Sequence, residues 1–148
     1  MKIALGADHA GYDLKAALVQ TLLQWGHEIV DLGTSNGQDS VDYPDFGSAV
    51  GHCVVSGGAE LGVAVCGSGI GISIAANKVP GVRAALVHDA TSARLAREHN
   101  HANVLCLGAR LIGVTVAQDA LGAWLDAEPT EGRHRARLDK LSQLDHRA

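Results

Sequence analysis

The run Val63-Ala64-Val65-Cys66-Gly67-Ser68-Gly69-Ile70-Gly71 carries a thiol from an apolar segment into a glycine-rich turn that opens a helical pattern over 68–79. Glycine lets the backbone take positive φ and approach a ligand closely, and the unpaired amides and dipole of a following helix favour negative charge. A cysteine at that junction is placed to work as a thiolate, either base or nucleophile, beside an anion hole. The plainer alternative is that Cys66 ends a core strand as a small buried hydrophobe. Asp8-His9 reads as a catalytic or ligand-binding pair, or as a polar loop in which Asp8 caps the next helix. His99-Asn100-His101 closes a helix, where Asn100 suits the C-terminal cap and the histidines suit the negative helix end. Histidine is also the side chain that moves protons near neutral pH. Arg133 and Arg137, four apart with His134 between them, share one helix face and make either a phosphate clamp or a solvated basic surface.

These groups need elements to hold them. Strand-like runs recur at Lys2–Gly6, Glu28–Leu32, Leu61–Cys66, Val82–Val87 and Val104–Leu107, each followed by a turn signal and a helical pattern. The helices are expected near Tyr12–Trp25, Asp45–Ser56, Ser68–Lys78, Thr91–His99, Thr115–Leu125 and Gly132–Leu144, with Pro129 separating the last two. Such alternation predicts parallel βαβ units, hence an α/β fold on a five-stranded parallel sheet. Nearly half the 148 residues are apolar, with one Phe and 18 Gly, so the core is built from Val, Leu, Ile and Ala, as suits buried parallel strands. A chain of this length reads as one domain, 1–148. In an open parallel sheet the ligand lies beyond the carboxyl ends of the strands. Those ends carry Asp8 and His9, then Cys66 to Gly71, then His88 and Asp89, then Arg110. The last helix, about 132–146, bears the one-sided stripe Leu138, Leu141, Leu144 after the fifth strand, which suits packing on a partner chain.

Several function classes drop out. The net charge of −4 gives no electrostatic case for nucleic acid or a membrane surface, and no apolar run approaches a membrane span. Three cysteines, Cys53, Cys66 and Cys106, show no paired spacing, and Met1-Lys2-Ile3-Ala4 enters a strand, so the reading is a reduced cytoplasm. Among eight histidines no His-x-x-x-His or cysteine pair occurs, and metal binding is not expected. The serious rival is a nucleotide-binding regulatory module. Gly67, Gly69 and Gly71 with Asp89 downstream resemble a dinucleotide fingerprint, but Ile72 stands where the third glycine belongs.

Taken as a set, the residues resemble the B-type ribose 5-phosphate isomerases, a family that includes allose 6-phosphate and galactose 6-phosphate isomerases. The resemblance rests on Gly6-Ala7-Asp8-His9-Ala10-Gly11, Asp42-Tyr43-Pro44, the stretch from Cys66 to Lys78, Arg97-Glu98-His99-Asn100 and Gly132-Arg133-His134-x-x-Arg137, in family order across nearly the whole chain. It implies a Rossmann-like three-layer α/β/α sandwich, a homodimer or tetramer with active sites shared between subunits, and a cofactor-free aldose–ketose isomerisation through a cis-enediolate. By the resemblance Cys66 is the base, and the amides of Gly67, Gly69, Ile70 and Gly71 hold the enediolate oxygen, with Ser68 donating a further hydrogen bond. His99 matches the position that opens the furanose ring. Asp8, Tyr43 and Asn100 match positions that hold sugar hydroxyls, and His9, Arg110, Arg133 and Arg137 those around the phosphate. Ser68 departs from the threonine of many cysteine-type relatives, and Ile72 stands where a second branch has a glutamate base, so the chemistry rests on Cys66. Ribose 5-phosphate is the expected substrate, with allose 6-phosphate or a related aldose phosphate as the alternative.

Overall fold

The computed structural model describes residues 1–145. Five strands, β1 (Lys2–Ala7), β2 (Glu28–Asp31), β3 (Leu61–Cys66), β4 (Ala84–Leu86) and β5 (Val104–Gly108), form an all-parallel sheet in the order β2-β1-β3-β5-β4. Between and after them run α1 (Tyr12–Gln24), α2 (Tyr43–Val55), α3 (Ile70–Ala76), α4 (Ala90–Asn100), α5 (Val114–Asp126) and α6 (Arg133–Leu144). Apart from Lys2 at the start of β1, the three middle strands are buried throughout, as their apolar sequence requires when helices cover both faces.

Alternation along each strand divides the core in two. Ile3, Leu5, Val63, Val65, Leu105 and Leu107 face α1, α4 and α5, where Leu18, Leu22, Leu121 and Trp124 are fully buried. Ala4, Ala64, Cys66, Val104 and Cys106 face α2 and α3, packing on Val50, Ile72 and Ala76. The result is the expected three-layer α/β/α sandwich. Because β2 follows β1 to one side and β3 returns to the other, the chain reverses direction across the sheet between β1 and β3. That reversal opens a crevice at their carboxyl ends.

Several boundaries differ from the sequence reading. The helix expected from Ser68 to Lys78 is the seven-residue α3, because Gly69 takes φ +77° at its N-cap and holds Gly67 and Ser68 in a loop. A Cβ at Gly69 would also lie 2.5 Å from Leu86 Cδ1 and 2.8 Å from the Leu107 carbonyl carbon, so only glycine fits there. The edge strand β4 is three residues rather than six, since the Arg83 N–H leaves the ladder to donate to Asn103 Oδ1 at 2.7 Å. His101, not Asn100, takes the left-handed cap of α4 at φ 48°. The helix expected over about 132–146 runs from Arg133 to Leu144, and position 146 lies outside the described residues. Of its stripe, Leu138 is buried, while Leu141 and Leu144 are 42% and 52% exposed.

Candidate active site

Asp8, His9, Tyr43 and Cys66 line one open cleft of about 390 Å³ at the β1/β3 crevice, together with Gly67, Ser68, Gly71 and Arg110. Each arrives by a short connection. Asp8 and His9 follow β1, and the Asp8 carboxylate accepts from the Gly11 N–H at 3.0 Å, so the capping role read from sequence is real and fixes the side chain. Tyr43 and Pro44 open α2, where a missing N–H costs nothing. Arg110 follows β5, and its N–H donates to the Gly67 carbonyl at 2.9 Å, tying the end of β5 to the glycine loop. Gly71 is required by close approach: a Cβ there would stand 2.5 Å from the Tyr43 ring.

Cys66 ends β3 at 4% exposure, its sulfur accepting from the Gly69 N–H at 3.1 Å. The Ser68 hydroxyl accepts from the Ile70 N–H at 3.2 Å. Two of the amides expected in the anion hole, Gly69 and Ile70, are therefore engaged inside the loop, which leaves those of Gly67, Ser68 and Gly71 to face a ligand. Ile70 itself begins α3 with its side chain 52% exposed. A thiol, a carboxylate, a phenol, an imidazole and a guanidinium thus converge on one space, with free amides beside the sulfur. The set can take a proton from carbon, hold an oxyanion and neutralise a dianionic group. The second cysteine on this face, Cys106, is fully buried, and desolvation, reinforced by Cys66, pushes its thiol far above the ordinary range. That leaves Cys66 as the thiol open to the cleft.

His99, Asn100, Arg133 and Arg137 are not in that cleft. They meet elsewhere, where the end of α4 faces the start of α6. The His99 and His134 rings stack with centroids 4.3 Å apart and planes 8° from parallel. Desolvation, then the adjacent His99, Arg133, Arg137 and His101, hold the His134 imidazole below its usual value. The connection between α5 and α6 is clipped onto α4 by Thr130, whose N–H and hydroxyl both donate to the Glu98 carbonyl, at 2.9 and 2.7 Å. Asn100 borders a separate hollow of about 350 Å³ between α4 and α6, along with Arg83, Leu141 and Leu144. Arg110, Arg133 and Arg137 form no ion pair with the described residues, so all three cations remain available to an anion.

Sequence reasoning missed two contributors. Leu111, 56% exposed, forms part of the cleft wall, and the Val41 N–H donates to His9 Nδ1 at 3.2 Å. A loop leucine and a backbone amide carry no pattern by which either could have been found. Among the described residues no group of three or more His, Cys, Asp or Glu is arranged to hold a metal, and no helix is long and apolar enough to cross a membrane.

A family model described as Ribose/Galactose Isomerase matches residues 3–141. The chain is 41% identical over 146 residues to ribose-5-phosphate isomerase B of Escherichia coli strain K12, spanning 99% of this chain and 97% of that protein. Among solved structures, ribose-5-phosphate isomerase B of Clostridium thermocellum is similar with a TM-score of 0.96 at 48% identity, covering 98% of this chain and 97% of that one. Ribose-5-phosphate isomerase B of Mycoplasma genitalium, solved with bound ribulose-5-phosphate, gives a TM-score of 0.95 at 37% identity over 99% of this chain and 97% of that one.

Proposed function

The chain belongs to the ribose/galactose isomerase family, and from that premise we propose that it interconverts ribose 5-phosphate and ribulose 5-phosphate without a cofactor, with Cys66 as the base. The observation that carries this reading is the placement of the Cys66 sulfur, fixed by the Gly69 amide in a glycine loop between Asp8 and His9 on one side and Arg110 on the other. His99 moves the proton that opens the furanose ring. In the open chain the Cys66 thiolate takes the C2 proton, leaving a cis-enediolate, and the resulting thiol returns a proton to C1 while the hydroxyl proton passes from O2 to O1. The free amides of Gly67 and Gly71 and the Ser68 hydroxyl stabilise the oxygen on which charge develops, the kind of fixed-dipole assistance that serves a transition state best. Asp8, Tyr43 and Asn100 hold sugar hydroxyls, and His9, Arg110, Arg133 and Arg137 hold the phosphate.

Since His99, Asn100 and the arginine pair stand apart from the cleft within one chain, the complete site is formed by two copies, the α4–α6 corner of one closing the Cys66 cleft of the other. Half-exposed Leu141 and Leu144 beside that corner support a homodimer. The free state of Cys53, Cys66 and Cys106 supports a cytoplasmic location. The substrate is tested by initial rates on ribose 5-phosphate, allose 6-phosphate and other aldose phosphates at matched concentrations. The highest kcat/KM is expected for ribose 5-phosphate, and a higher value for a six-carbon phosphate would reassign the substrate while keeping the reaction. Thermal stabilisation by NAD or ATP with none by ribose 5-phosphate would instead favour a nucleotide-binding module.

A further inference from the structure

Lys15 lies on α1 with its side chain only 2% exposed, a buried cation that the proposed reaction leaves unused. A buried ammonium is tolerated only when its partners are well placed, so the partners say what it holds. Its Nζ donates to Asp31 Oδ1 at 2.5 Å and to the Thr34 carbonyl at 3.1 Å, and sits 5.8 Å from the centre of the Tyr12 ring. Asp31 ends β2 and Thr34 lies in the segment that leaves it. Asp31 Oδ1 also accepts from the Gly33 N–H at 2.9 Å, while Thr34, itself buried, donates its N–H to the Ala7 carbonyl at 2.7 Å.

Past Thr34 the segment is folded on itself and against α1. Asn36 Oδ1 accepts from the N–H groups of Gln38 and Asp39, both at 2.9 Å, and Gly37 packs so closely that a Cβ would stand 3.3 Å from the Tyr12 ring and 3.5 Å from the His9 carbonyl oxygen. The segment ends at Val41, whose N–H donates to His9 Nδ1 at 3.2 Å. A backbone amide can only donate, so Nδ1 must offer its lone pair, and the neutral ring then carries its proton on Nε2. A proton on Nδ1 would set donor against donor.

We propose that Lys15 is a positioning residue for the phosphate end of the site: its clamp on Asp31 and Thr34 holds the 33–41 segment so that Val41 fixes His9 as the Nε2–H tautomer, a neutral donor to the substrate phosphate. The phosphate role of His9 rests on the function proposed above, whereas the tautomer and its dependence on Lys15 do not. Sequence alone hides this device, because Lys15 follows Leu14 on a helix where a lysine is ordinarily a solvated surface residue.

The test uses two-bond proton–nitrogen NMR spectra of the 15N-labelled full chain without substrate, with the His9 signals identified by their loss in His9→Gln. The wild-type protein is expected to show His9 as the Nε2–H form, and Lys15→Met a mixture of both forms. In kinetics, Lys15→Met should raise KM for ribose 5-phosphate and the inhibition constant of inorganic phosphate together, by about fivefold, the scale of one weakened hydrogen bond, with kcat held within about twofold. Should Lys15→Met not fold, Asn36→Ala leaves the buried ion pair intact and loosens the same segment, and it should shift both readouts in the same direction by less. An Nδ1–H form of His9 in the wild-type protein overturns the proposal. So does a folded Lys15→Met, or in its place Asn36→Ala, that keeps the tautomer and the KM, or that loses kcat at unchanged KM. Absence of any turnover of ribose 5-phosphate would overturn the substrate instead, and the tautomer spectra and phosphate binding would then decide on the clamp alone.

Discussion

In the Cys66 cleft, the reactive side chains grow from the carboxyl ends of β1, β3 and β5 and are fixed by backbone hydrogen bonds: Asp8 by Gly11, His9 by Val41, Cys66 by Gly69. At the α4–α6 corner, His99, Arg133 and Arg137 stand on helix surfaces, held by one ring stack, the Thr130 clip and the single buried leucine Leu138. The first region is therefore preorganised by the sheet, and the second is a presented surface whose apolar neighbours are still half-exposed. Rigid strand ends suit a base that must meet a carbon-bound proton in one geometry. A helix corner suits charge that must be brought to a substrate from outside, as a second subunit would bring it.

Removing the proposed base, Cys66, should have the largest effect and should fall wholly on the cleft. Cys66→Ala is expected to fold normally and to lose about a thousandfold or more in kcat, because no carboxylate stands at Ile72 to replace the lost side chain. Cys106→Ala, on the same face but without access to the cleft, should stay active. Circular dichroism and a coupled isomerase assay check both, and full activity in Cys66→Ala would remove the distinction between the regions.

Arg137→Ala probes the presented surface and should weaken substrate rather than slow chemistry. A charge-assisted contact to phosphate contributes roughly 1.5–3 kcal/mol, so KM should rise about tenfold or more while kcat changes little and the proposed dimer persists in analytical ultracentrifugation. An unchanged KM would make the basic face of α6 plain solvated surface.

The smallest expected effect separates the two regions by pH. Folded His134 is held below its usual value by desolvation and by His99, Arg133, Arg137 and His101, so between the folded and unfolded values the unfolded chain binds more protons. The contribution of the contact is full above the unfolded value of about 6.5 and is lost as pH falls through the folded one. The protection factors of the α6 amides, which allow for the slower chemical exchange at lower pH, should therefore fall on acidification below the unfolded histidine value before those of β3 do. Simultaneous loss of protection in both would mean that α6 is as firmly built in as the sheet.

How much of this was legible in the sequence follows the same division. Apolar runs and one-sided helical stripes read correctly because burial acts through local period, so β1, β3, β5 and α1 were visible, as were the side chains at the strand ends. The short α3 was overextended, since a positive φ at Gly69 is a conformational fact that the glycine permits without announcing. Arg133 and Arg137 are legible as a pair by spacing, and only the resemblance assigns them to the phosphate, because helix spacing sets which residues share a face and says nothing of the distance to Cys66. Lys15 and the Val41 amide were invisible for a different reason: their roles lie in contacts across 16 and 32 residues of chain, with ordinary residue types at both ends.

Subunit complementation decides whether the two regions belong to one site made by two chains. Cys66→Ala and Arg137→Ala chains carrying different tags are co-expressed and the mixed dimer is purified through both tags. If sites are shared, each mixed dimer holds one site with both defects and one intact, so the account predicts about half the wild-type activity per dimer, at wild-type KM, from two parents that are individually impaired. Half the wild-type kcat at the raised KM of the Arg137→Ala parent would contradict it and would place the whole site within a single chain.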